Sequence, residues 1–249
     1  MLSQLVFFMI KNSIPGAQKL FTFFKDADST IRVSVDIDGN KVPMALNPCD
    51  YLDRRVIYSG YYEREVLDEL LTTPKNGTIW DIGANIGLHS AALAVLRPDV
   101  NVTSVEANPL LIGRLLSNVG AYSNVSVVSC GLSSGYVNLP FSLNSSGNSG
   151  HSSFTPWSEV VYQRVITLPA IPASALGRAP NTVKIDVEGH EVDVLHGFGA
   201  MAQSVGKFII ETKYPEAIHK VLGETNFSIR CVGDTHKGDY VFERRTANR

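Results

Sequence analysis

The stretch TIWDIGANIGLHSAALAVL, residues 78–96, constrains the fold more than any other part of the chain. A short apolar run ends at Asp81, turns through Gly83-Ala84-Asn85-Ile86-Gly87, and continues into an Ala/Leu-rich segment closed by Arg97-Pro98. Strand, glycine turn and helix in that order form the crossover unit of a parallel sheet, and the glycines let a ligand approach the backbone. A second unit follows. NVTSVE ends at Glu106, and Asn108-Pro109 starts a helix with a side-chain cap and a proline at the first helical position. NVSVVSC is a third strand ending at Cys130. Asp81, Glu106 and Cys130 are spaced 25 and 24 residues apart, one strand-helix unit each. That regularity implies an α/β doubly wound sheet with right-handed crossovers. TVKIDV, reaching Asp186 and Val187, and KFIIE, Lys207 to Glu211, continue the series, while FSIRCV and DYVFER close it as an antiparallel pair. The sheet is therefore expected to be mostly parallel and seven-stranded.

Asp186 comes 56 residues after Cys130, about one unit more than a crossover needs. The excess contains SLNSSGNSGHSS, a serine- and glycine-rich run without periodicity, which reads as a flexible loop. Its position beside the strand ends also makes it a candidate lid. Upstream, IRVSVDIDGNKVPMAL alternates on both sides of Asp38-Gly39-Asn40 and reads as a hairpin, Ile31 to Asp36 and Val42 to Leu46. YYEREVLDELL follows as an amphipathic helix with Val66, Leu67, Leu70 and Leu71 on one face. These features divide the chain into an N-terminal helix and hairpin extension, residues 1–57, and a catalytic-type domain, residues 58–249.

The apolar run Leu5 to Ile10 is too short to span a bilayer, and no basic residue precedes it as in a signal peptide. It reads as a helix packed on the core, or alternatively as a peripheral membrane or partner contact with Lys11, Lys19 and Lys25 near headgroups. The formal net charge of −2 argues against a nucleic-acid partner, which would favour a basic surface. Cys49, Cys130 and Cys231 are too scattered for a disulfide framework or a metal centre, so a cytoplasmic location is expected. No metal is expected either, since the six histidines form no His-X-X-X-His pair.

A dinucleotide fingerprint needs three glycines at fixed spacing, and here the second and third positions hold Asn85 and Leu88. What is present suits S-adenosylmethionine: an acid at the end of strand one, a Gly-X-Asn-X-Gly turn, and Glu106 ending strand two, able to accept hydrogen bonds from both ribose hydroxyls. No pyrophosphate has to be cradled.

The segments WDIGANIGLHS, VEANP, GNSGHSS, VKIDVEGHEVDVLHG and FIIE occur in an order that resembles the FkbM-type methyltransferases, over about residues 58 to 215. The resemblance implies a class I, Rossmann-like fold and transfer of a methyl group from S-adenosylmethionine, commonly to a hydroxyl oxygen of a sugar, glycolipid or polyketide-type product. In that frame Asp81 orients the glycine turn or meets the cofactor's amino group. Gly83, Asn85 and Gly87 line the methionine part, Glu106 and the adjoining Ala107 serve the ribose, and Cys130 and Gly131 flank adenine. Asp186 ends strand four at the switch point where doubly wound sheets bind ligands. It is expected to touch both cofactor and acceptor, with Glu188 beside it and His190 as a candidate base. Glu188 or Glu191 alternatively favours a helix N-terminus. Two other functions compete. One is a ribose 2′-O-methyltransferase acting on RNA through Lys184, Asp186, Glu211 and Lys213; the other is a non-catalytic cofactor-binding scaffold. The identity of the acceptor and the oligomeric state are not encoded in these motifs.

Overall fold

The computed structural model describes residues 30–144, 148–233 and 238–245. The apolar segment Leu5 to Ile10, with the packing or membrane contact expected of it, lies outside the described residues. A hairpin opens the described chain, β1 (Ile31–Ile37) and β2 (Asn40–Leu46), followed by α1 (Tyr51–Ser59) and α2 (Arg64–Leu71). The crossover units are β3 (Thr78–Ile82), α3 (Leu88–Leu96), β4 (Asn101–Glu106), α4 (Pro109–Val119) and β5 (Val125–Ser129). An insert contributes β6 (Gly131–Leu132), β7 (Val137–Leu143) and β8 (Arg164–Ile171). The chain then returns through β9 (Thr182–Ile185), α5 (Glu191–Phe198), β10 (Lys207–Glu211), α6 (Pro215–Leu222), β11 (Phe227–Cys231) and β12 (Asp239–Arg244).

The main sheet has seven strands in the order β11-β12-β10-β9-β3-β4-β5. β12 runs antiparallel to both its neighbours, and the other pairings are parallel. Side chains alternate across the sheet with the period of two that a strand imposes. Ile79, Val102, Ile209 and Val241 enter a cluster with α2, α3, α4 and the hairpin. Trp80, Ile82, Val183, Ile185, Phe208, Ile210 and Phe242 enter the opposite cluster, under α5 and α6. The same alternation places Asp81, Ser104 and Lys184 on the α3 side, where the core would otherwise be apolar. All three are buried there.

Several boundaries differ from the sequence reading. α1 is an addition: Asp50 caps it by accepting from the Leu52 amide, and residue 57, where the sequence reading ends the extension, lies inside it. The insert between β5 and β9 contains strands that the sequence reading did not assign. β7 and β8 form an antiparallel hairpin and β6 pairs parallel with β8, while residues 145–147 of the serine-rich run lie outside the described residues. Ser142 and Ser153 exchange backbone hydrogen bonds at 2.8 and 3.0 Å. β9 stops at Ile185, one residue before the expected strand end at Asp186, and Glu188 has a φ of 55°, so the strand's alternation does not extend to Glu188.

Candidate active site

A cavity opens at the C-terminal ends of β3, β4 and β9, the position the switch point of a doubly wound sheet dictates. Its floor is the turn after β3. The amides of Gly83 and Ala84 both donate to the Val105 carbonyl, at 2.9 and 3.0 Å, which hangs the turn on β4. Gly83 has a φ of +77°, and a Cβ there would stand 1.7 Å from the Asp186 carbonyl oxygen. Only glycine permits the turn and the end of β9 to meet this closely.

Glu106 joins the turn to the next helix. The Asn85 amide donates to one carboxylate oxygen at 2.7 Å, and the Asn108 amide donates to the other at 2.7 Å. Burial raises its pKa, and these two amides act against that rise. Each oxygen accepts from one amide and has capacity for a second donor, so the carboxylate, which lines the cavity, is anchored and still able to accept. Glu106 thus holds the start of α4 and borders the cavity with the same carboxylate. Ala107, Cys130 and Gly131 line the cavity beyond it, with Val105, Leu132 and Phe141 supplying an apolar slot. Burial raises the Cys130 thiol, which suits a packing group.

Two expected cofactor residues stand elsewhere. Asp81 is 1% exposed and lies behind the turn, accepting from Ser90 Oγ at 2.7 Å with Lys184 Nζ 3.6 Å away. It faces the sheet's polar interior because period-two alternation turns it to the α3 side. Gly87 is absent from the cavity wall. A Cβ on it would come within 2.7 Å of Leu115 and 2.9 Å of Val119, so its bareness serves the packing of α3 on α4.

Lys184 is a buried cation among acids. Its ammonium lies 3.2 Å from Asp186 and 3.4 Å from the Gly83 carbonyl. Burial opposes its charge, but Asp186, Asp81 and Glu63 outweigh that and hold it protonated. Asp186 is pushed up by burial and pulled down by Lys184, with the rise winning. Glu211 is pushed up to about 10, by burial first and then by Asp186 and Glu63. Glu188 is pushed up to about 8 by burial and by Asp186, while its carboxylate accepts from Trp157 Nε1 at 3.3 Å. The cluster carries more carboxyls than cations, so a positively charged ligand would relieve it.

Asp186 and Glu188 border this cavity and also a second one, of about 710 Å³, walled by Trp157, Lys213, Tyr214 and Tyr240. His151 and Glu211 line both as well. His190 is not a free base at their junction. Its ring is buried, with Nδ1 3.2 Å from Thr155 Oγ1, Nε2 3.2 Å from Ser133 Oγ, and Phe154 packed against it. Burial lowers its pKa. Glu191 accepts from the Gly189 amide at 2.7 Å in the first turn of α5, the helix-start role anticipated for one of the two glutamates. Among the described residues no group of three or more His, Cys, Asp or Glu side chains is arranged to hold a metal ion. Sequence reasoning missed Glu63, Trp157 and the pairing role of Lys184. For the lysine a signal was present: a charged residue inside the otherwise apolar TVKI needs a buried partner.

A sheet of this order, with a glycine turn, a strand-end glutamate and a cavity at the switch point, defines a class I methyltransferase of Rossmann-like fold. The methyltransferase FkbM domain matches residues 81–226, and the chain therefore belongs to the FkbM methyltransferase family. It is 31% identical over 189 residues to the hexuronic acid methyltransferase AglP of Haloferax volcanii, covering 74% of this chain and 77% of AglP. It is 30% identical over 126 residues to the AMB antimetabolite synthetase AmbE of Pseudomonas aeruginosa, covering 48% of this chain but 6% of that protein. Among solved structures, the precorrin-6y C5,15-methyltransferase of Geobacter metallireducens is 16% identical, with a TM-score of 0.46 over 73% of this chain and 88% of that one. S-adenosylmethionine is the cofactor, and the residues present fit it: an anchored acceptor for ribose, an apolar slot for adenine, and an acid-rich end for a sulfonium and an ammonium.

Proposed function

We propose that this protein is an O-methyltransferase that acts on a hydroxyl of a sugar or glycolipid, in the cytoplasm. The observation that carries the reading is the junction of the two cavities at Asp186, Glu188 and Glu211. The second cavity combines aromatic rings, which suit the apolar face of a sugar ring, with carboxyl groups that hydrogen-bond hydroxyls. Similarity to AglP, whose name specifies a hexuronic acid, supports a sugar-type acceptor. For the location, Cys49, Cys130 and Cys231 stand as thiols, and no helix of the described residues is long and apolar enough to cross a membrane. The RNA alternative is less favoured, because among the described residues that line the second cavity Lys213 stands as one lysine against five acids.

S-adenosylmethionine, when bound, supplies an electrophilic sulfonium methyl. The chain contributes alignment and a dry wall: Glu106 holds the ribose, Gly83 and Asn85 flank the methionine part, and Cys130 and Gly131 flank adenine. Asp186 orients the acceptor hydroxyl from its Lys184-paired position, and Glu188 takes its proton. His190 holds the insert against α5 through Thr155 and Ser133.

Incubation with methyl-labelled S-adenosylmethionine and a panel of uronic acid glycans, neutral sugar lipids and RNA tests the reading. Label is expected on the sugar in a form that survives mild base, as an ether does. Base-labile label would move the reaction to a carboxylate, and label on RNA would replace the acceptor class.

A further inference from the structure

Glu63 precedes α2 with a φ of 59° and a ψ of 53°, a left-handed conformation that a glutamate adopts only when its surroundings impose it. It makes no side-chain cap for that helix. Its carboxylate instead turns inward, 10% exposed, into the wall of the cofactor cavity that also holds Gly83 and Asp186. His89 Nε2 lies 3.3 Å from it, and Nδ1 of the same ring lies 2.8 Å from the hydroxyl of half-buried Tyr61. A hydroxyl donating to Nδ1 leaves the proton on Nε2, where it donates to Glu63. The histidine thus fixes the carboxylate's direction. Lys184, the nearby ammonium, is already held by Asp186 and Asp81.

We propose that Glu63, positioned by His89 and Tyr61, binds the α-ammonium group of the cofactor's methionine portion. This rests on the reading that the cavity holds S-adenosylmethionine. The methionine portion must run along the Gly83 turn, where the chain offers an ammonium few charged acceptors. Asp81, assigned that contact from sequence, is sealed behind the turn. Asp186 is engaged by Lys184 and stands at the junction of the two cavities. Glu63 combines charge, a fixed direction and access from the cavity.

Calorimetry with three ligands tests it: S-adenosylmethionine, S-adenosylhomocysteine, and 5′-methylthioadenosine, which lacks the amino-acid end. Glu63→Gln should weaken the first two by about 10- to 100-fold, the scale of a charged hydrogen bond, and leave 5′-methylthioadenosine unchanged. Retained binding of that nucleoside also certifies that the variant folds. Tyr61→Phe, which frees the histidine, should produce a smaller loss with the same selectivity, and it serves if Glu63→Gln does not fold. Equal losses for all three ligands, or none, would overturn the assignment. A wild-type protein that binds none of them would instead overturn the cofactor reading beneath it.

Discussion

A carboxyl group keeps its proton to higher pH when its surroundings cannot solvate the charge, and Glu188 is the clearest case at the junction of the cavities. Burial comes first and the neighbouring Asp186 second, together moving it to about 8. A group that must accept a proton works only once it has lost its own, so kcat/KM for the cofactor should rise with pH through a midpoint at about 8 and level off above it. Glu188→Gln should remove that rise and lower turnover by about 10²-fold, a far larger loss than the one in cofactor affinity. His190 predicts a different profile. Burial lowers its pKa below the ordinary 6.5, so a histidine base would already be neutral at pH 7 and the rate would level off on the acid side. A pH-rate series on the wild type and on His190→Gln separates the two, and a midpoint below 6.5 that disappears in His190→Gln would return the role to the histidine. Sequence reading placed Glu188 beside this chemistry. It did not show that the ring of His190 is held by two hydroxyls from the insert, because Ser133 and Thr155 lie 57 and 35 residues away along the chain.

Elements were legible where one local pattern decides them. The β3 turn and α3 follow from their glycines and from an apolar helix buried nearly all round, Leu88 to Ala94. β10, Lys207 to Glu211, has the limits its sequence suggests because it is a short central strand with a charged residue at each end. α1 escaped notice because Asp53, Arg54 and Arg55 interrupt any apolar face. It docks through Val56, with Leu52 and Ile57 beside it, and through an ion pair between buried Asp53 and Arg114 of α4. In β7 and β8, Pro140 and Pro169 break up the sequence pattern, yet both strands pair along their whole length. Gly87 shows how one residue type conceals two roles. Its φ of +82° and the nearness of Leu115 and Val119 make it a packing residue between α3 and α4. Gly87→Ala should therefore destabilise the fold by about 1–3 kcal/mol, through overpacking and a left-handed alanine, with cofactor affinity unchanged in the folded fraction. Denaturant titration alongside calorimetry measures both quantities. Unaltered stability with weakened binding would put Gly87 on the ligand surface after all.

Across the whole molecule, the alternation of the sheet gathers its polar residues on one face and toward one end. Asp81, Ser104 and Lys184 project from adjoining strands, with Asp186 and Glu211 at the strand ends above them. The consequence is a pH dependence of a definite sign. Glu191, Glu188 and Glu211, raised chiefly by burial to about 7, 8 and 10, bind protons in the folded state that the unfolded chain releases near 4.5. Their contribution to stability is complete below 4.5 and is lost as pH rises through those higher values. Glu69 works in the opposite sense: despite burial, Arg230 and Lys207 lower its pKa, so its contribution is lost as pH falls. The ligand-free protein should accordingly melt at a lower temperature at pH 9 than at pH 6. A ligand bringing a sulfonium beside these carboxyls favours their ionised forms, so S-adenosylmethionine should reduce the decline and release protons on binding at pH 7.5. S-adenosylhomocysteine, without the sulfonium charge, should release fewer. Calorimetry in buffers of different ionisation enthalpy counts those protons. Equal release by the two ligands would mean that the acid cluster does not face the sulfonium, and would place the reacting methyl elsewhere in the cavity.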